Sequence, residues 1–144
     1  MTATAANLVL DGRDFQGSEL ECEVAAATKI YAGQLVFASA AGWANHTAYS
    51  GGALRLLGVA KYYVDNSLGS NGDAIVEVYR RGWWRHFLFT GTATQAIKGV
   101  PIHAIDNYTI QLSATSAAYV GIGTLFISAT QIELEIDTLS RTLN

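Results

Sequence analysis

Thr130-Gln131-Ile132-Glu133-Leu134-Glu135-Ile136-Asp137 alternates without a break. Ile132, Leu134 and Ile136 point to one side, and Gln131, Glu133, Glu135 and Asp137 to the other. Side chains change face at every residue of an extended chain, whereas a helix repeats near 3.6 residues. The segment therefore predicts a half-buried antiparallel strand, apolar toward a core and polar toward solvent.

The same period recurs upstream. From Asp73 to Tyr79, one face carries Ala74, Val76 and Val78 and the other Ile75, Glu77 and Tyr79. The second face keeps two sizeable apolar groups, which predicts cover there too. Tyr119 to Ile127 is apolar on both faces, and its Gly121 and Gly123 predict a bulge or a close backbone approach. Asp106-Asn107 separates 101–105 from 108–112, a hairpin signature built on residues that tolerate positive φ. Ala40-Ala41-Gly42-Trp43 turns the run 34–38 back on itself, and 65–72 forms a loop between two further β-rich runs. Helical periodicity is confined to single turns in 91–98 and 113–118. About eight strands at intervals of roughly 8–12 residues give the rhythm of an all-β sandwich or barrel.

Composition narrows the function classes. The chain has 144 residues, 50% of them hydrophobic and 15% charged. Its mass is 15.4 kDa and its mean hydropathy +0.21. That is one domain's length, with less charge than the roughly 25% of ordinary domains. So much apolar surface predicts burial against neighbouring subunits. Nine Lys and Arg against twelve Asp and Glu oppose nucleic-acid binding by general charge neutralisation. The single Cys22 forms no internal disulfide or multi-thiolate site, which fits a reducing compartment. MTATAANLVLDGRD lacks the basic and apolar regions of a cleaved signal, and no apolar run reaches membrane-spanning length.

Residues 1–20 read as an extended N-terminal arm ahead of a single β domain over 21–144. They are Ala/Thr-rich and then polar, with Leu8, Val9 and Leu10 as their one apolar cluster. Such an arm either docks on a partner or remains a frayed end.

A search for chemistry assigns no catalytic, cofactor-binding or metal-ligating residue. Cys22 lies between Glu21 and Glu23, whose carboxylates oppose thiolate formation. His46, His86 and His103 lack the clustered partners of a zinc site, and no G-x-S-x-G elbow or complete phosphate loop occurs. Glu133 and Glu135 read as a solvated face rather than an acid/base pair. The unusual cluster is Tyr79-Arg80-Arg81-Gly82-Trp83-Trp84-Arg85-His86-Phe87. It fits three roles: a core or intersubunit strand with its arginines snorkelling outward, a protein contact, or stacking on single-stranded nucleic acid or sugar. An acidic chain with one local basic patch fits a partner-protein or subunit contact through Arg80, Arg81, Trp83, Trp84 and Arg85 better than a general grip on polyanions. Packing in a core or between subunits is the leading reading of the segment.

Several segments together resemble the decoration, or cement, proteins of tailed-bacteriophage heads. They are Tyr31-Ala32-Gly33-Gln34-Leu35-Val36, Leu56-Leu57-Gly58-Val59-Ala60, Asp65-Asn66-Ser67 and Gly72-Asp73-Ala74-Ile75-Val76-Glu77-Val78. Lys98-Gly99-Val100-Pro101-Ile102, Asp106-Asn107-Tyr108-Thr109-Ile110, Val120-Gly121-Ile122-Gly123 and the Ile132 to Asp137 strand continue the order, which covers about 22–137. The resemblance implies a non-enzymatic β-barrel or β-tulip-like sandwich on the outer surface of the virion, made in the host cytoplasm. It further implies a homotrimer whose arm, with Leu8, Val9 and Leu10, pairs with strands of the major capsid protein, with no cofactor, nucleic acid or membrane. The other reading is a carbohydrate-binding β-sandwich module of a head fibre, with Trp43, Trp83 or Trp84 as stacking platforms.

Overall fold

The computed structural model describes residues 4–14, 18–45 and 55–138. Fourteen strands lie within them: β1 (Gly12–Asp14), β2 (Glu19–Glu23), β3 (Thr28–Ile30), β4 (Leu35–Ala38), β5 (Ala44–Asn45), β6 (Arg55–Ala60) and β7 (Val64–Asn66). There follow β8 (Ile75–Tyr79), β9 (Arg81–Trp84), β10 (Leu88–Phe89), β11 (Pro101–Ala104), β12 (Thr109–Gln111), β13 (Ala118–Ser128) and β14 (Gln131–Asp137). Among the described residues the one helical element is a 3-10 turn, Gln95–Ile97, capped by Thr94. The all-β class holds, in more and shorter strands than the eight expected, because bulges and turns cut the long runs.

A seven-stranded sheet, β1-β9-β14-β13-β11-β12-β10, faces a five-stranded one, β2-β8-β6-β4-β5, and β3 and β7 form a separate ribbon. All ladders are antiparallel except β10 with β12. The arrangement is a β-sandwich; among the described residues no sheet closes into a barrel. The five-stranded sheet comes nearest, since one parallel bridge, Val24 to Ala44, ties its two edges at one end.

Two cores follow from period two. The larger lies between the sheets and gathers Leu35, Phe37, Leu56 and Val59 with Trp84, Phe89, Ile102, Ile110, Ile132, Leu134 and Ile136. The smaller holds Cys22, Val24, Ile30, Val36, Ala60, Val76 and Val78, closed over by the β3–β7 ribbon. Strand β4 therefore faces apolar cover on both sides, and all four of its residues are buried. Its register with β6 slips so that Phe37 opposes Leu56 while Val36 opposes Gly58. Leu57 is the extra residue, and the bulge lets Leu56 and Val59 reach the same core.

The β14 alternation is realised residue by residue, with Ile132, Leu134 and Ile136 buried and their neighbours half-buried. Ala40-Ala41-Gly42-Trp43 joins the antiparallel pair β4 and β5. In β13 both expectations for the glycines are met. A side chain on Gly121 would run into the Glu135 carbonyl, and one on Gly123 into that of Ile97. The register with β14 slips after Gly123. Tyr119, Leu125 and Ile127 remain 36–40% exposed, so the outward side of β13 is partly uncovered. The predicted hairpin is also formed, β11 pairing with β12. Its chemistry differs: Asp106 Oδ1 accepts from the N–H groups of Tyr108 and Thr109, while Asn107 is wholly buried.

Candidate functional site: the arm and the strand it covers

Residues 4–14 lie along the body. Thr4 donates its N–H to Asn107 Oδ1 at 2.9 Å, and Asn107 Nδ2 donates back to the Thr4 carbonyl at 3.3 Å and to Gln34 Oε1 at 3.2 Å. Asn7 Oδ1 accepts from Ala32 N–H and Leu8 N–H donates to the Ala32 carbonyl. Further along, β1 adds itself to the outer edge of β9. Glu19 and Leu20, counted with the arm on sequence, are the first residues of β2. Leu10 packs on the larger core, Leu8 is half-buried, and Val9 points outward at 87% exposure.

Gly33 makes the close approach of the arm possible. It sits at φ +82, where L side chains are strained. A Cβ there would lie 2.9 Å from that of Leu8. The Tyr31-Ala32-Gly33-Gln34 segment, read on sequence only as part of a resemblance, is thus the seat of the arm. Gln34 is fully buried, and its Oε1 also accepts from Tyr31 N–H.

His86 joins arm to body. Its Nδ1 accepts from the Asp11 N–H at 3.1 Å and its Nε2 lies 2.7 Å from the Gly33 carbonyl, the geometry of a neutral ring protonated on Nε2. Burial among neighbours that include Trp84 and Phe87 holds its pKa below the ordinary 6.5, opposed by the Gly33 carbonyl and the Asp11 carboxylate. Arg85 N–H donates to the Asp11 carbonyl at 2.7 Å beside it.

The Arg/Trp segment is built into the seven-stranded sheet, with β9 between β1 and β14. Trp84 is 3% exposed and belongs to the larger core, so within this chain it is a packing residue, as in the core-strand reading, and not an exposed contact or stacking face. Trp83 is half-buried. The arginines meet local partners: Arg80 Nε donates to the Ser18 carbonyl, Arg81 Nε is 3.5 Å from Asp137 Oδ2, and Arg85 Nη2 is 3.0 Å from Glu133 Oε2. Glu133, read as solvated, also accepts at Oε1 from Thr124 Oγ1 at 2.9 Å. Nothing in the sequence marked Arg85 and Glu133 as cross-strand neighbours, because they lie 48 residues apart.

Elsewhere, Cys22 is buried and its pKa is pushed up to about 11 by that burial, with Arg80 opposing. The flanking carboxylates are not what raises it. His103 Nδ1 contacts the Leu112 carbonyl at 3.1 Å, and His46 lies outside the described residues. Among the described residues no three of His, Cys, Asp and Glu gather as metal ligands, and no helix is long and apolar enough to cross a membrane. A shallow groove of about 370 Å³ runs between β2 and the β4–β5 turn, lined by Leu20, Glu21, Glu23, Trp43 and Leu57 among others.

Comparison with models of protein families, with curated proteins and with solved structures finds no match to this chain.

Proposed function

We propose that the protein is a non-enzymatic decoration protein of a tailed-phage head, binding the outer surface of the shell as a homotrimer and stabilising it. The observation that carries the reading is the arm: residues 4–14 engage the body largely through backbone and amide hydrogen bonds and end in a strand added to a sheet edge. A segment held in this way can make equivalent bonds on the strand edge of the major capsid protein. The uncovered apolar residues of β13 support a subunit contact, and three linked copies would engage repeated sites on a shell at high effective concentration.

The test is co-sedimentation with expanded heads that lack the protein. The full chain is expected to pellet with the heads, and a form lacking residues 1–14 to bind more weakly while keeping its β circular dichroism. Equal binding by both forms overturns the role of the arm, and absence of binding by either overturns the reading.

One observation favours a second reading, the carbohydrate-binding module. Trp43 stands beside Glu21 and Glu23 along the shallow groove, and an aromatic face with carboxylates suits a sugar ring. A change in tryptophan fluorescence on titration with oligosaccharides supports it; an unchanged spectrum across millimolar sugar removes it.

A further inference from the structure

The His86 side chain bonds the arm and the body at once, through Asp11 N–H on Nδ1 and the Gly33 carbonyl on Nε2. We infer that His86 is a pH-sensitive latch: its neutral ring straps residues 4–14 to the sandwich, and its protonation frees them. This holds whatever the freed arm then meets.

The reason is donor and acceptor arithmetic. A neutral imidazole has one donor and one acceptor, which matches one carbonyl and one N–H. Protonation places a hydrogen on Nδ1, so two donors face each other and the Asp11 N–H loses its acceptor. The Nε2–H bond to Gly33 survives, so the ring stays with the body and the arm is the side that lets go. The next bonds along the arm are Leu8 N–H to the Ala32 carbonyl and Arg85 N–H to the Asp11 carbonyl, so the release begins at Asp11, between them.

The charges around the ring set the window. From the arm, the Asp11 carboxylate favours the imidazolium; on the ring's own segment, Arg85 is paired with Glu133 of β14. The turn before β4 presents the Gly33 carbonyl, and Trp84 and Phe87 present rings. Burial outweighs Asp11, so the strapped state binds the proton more weakly than the free one. The strap is therefore fully held above the ordinary value of 6.5 and loosens as pH falls through it toward the lower strapped value.

The experiment places a nitroxide at Val9→Cys in a Cys22→Ala background of the full chain, since Val9 is 87% exposed. The label is expected to move slowly at pH 8 and to gain a fast component at pH 5, the ratio rising by at most about tenfold per pH unit. Near-ultraviolet circular dichroism stays constant, showing that the body remains folded. His86→Asn keeps an acceptor in the place of Nδ1 and takes no proton, so its label remains slow at both pH values. Asp11→Asn removes the charge that favours protonation and moves the midpoint to lower pH. Equal mobility at both pH values in the parent, the same acid response in His86→Asn, or a midpoint that Asp11→Asn leaves in place or raises overturns the latch.

Discussion

Arg85, the residue that follows β9, pairs with Glu133 of the neighbouring β14, both Nε and Nη2 of the guanidinium lying 3.0 Å from Glu133 Oε2. The pair fixes how the Arg/Trp segment is to be understood. Its cations are drawn into the sheet's own polar face rather than presented as an open basic surface, and its second tryptophan fills the core. Any contact with a partner therefore involves a surface whose charges are already partly satisfied.

The Arg85 side chain is 44% exposed, so the ion pair is screened by water. Arg85→Ala is expected to change unfolding stability by about 1 kcal/mol or less. Urea denaturation followed by tryptophan fluorescence measures this, and a loss several times larger would show that the pair organises the sheet edge.

Trp84 behaves in the opposite way. It is buried between the sheets, and Trp84→Ala is expected to cost about 3–5 kcal/mol, the range for deleting a large core aromatic. Its indole N–H has no hydrogen-bond partner among the described residues, so Trp84→Phe should be far milder. Denaturation midpoints of the two variants separate packing from any polar role.

Asn107 holds together three segments that are remote in sequence: the start of the arm, Gln34, and the hairpin itself. Asn107→Ala leaves Gln34 Oε1 short of a donor in a buried site, for an expected loss of about 1–3 kcal/mol. Amide exchange at Thr4 should accelerate in the variant, which distinguishes arm loosening from a general loss of stability.

How far these features were legible in the sequence depends on the distance over which each acts. The β14 strand, the β11–β12 hairpin and the glycine contacts of β13 rest on alternation and local backbone freedom, and each is formed, but neither Asp106 nor Asn107 takes the positive φ on which the hairpin was read. The same alternation hid β4 as the strand covered on both faces, because only the slip at Leu57 shows how β6 feeds two cores. Asn107 looked like a turn residue, yet Asp106 builds the turn and Asn107 is free to anchor the arm. Gly33 and His86 carried no local signal of their role: what makes them matter is Leu8 and Asp11, more than twenty and seventy residues away in the chain. Of the barrel or sandwich expected, the described residues form the sandwich, because only one bridge joins the edges of the five-stranded sheet.

Cys22 yields a chemical prediction. With burial raising its pKa to about 11, the thiol is almost wholly protonated at pH 8. Ellman's reagent should label it slowly in the folded protein and rapidly in denaturant. Fast labelling of the native chain would place the thiol at an accessible surface and contradict the smaller core described above.

The central proposal, that this chain decorates a phage shell, is tested most directly by electron cryomicroscopy of virions assembled in cells that produce it. The account predicts density for the sandwich on the outer surface of the head, repeated in threefold groups, with residues of the arm reaching toward the capsid protein. Density confined to the interior or the tail, or virions from which the chain is absent, would contradict it.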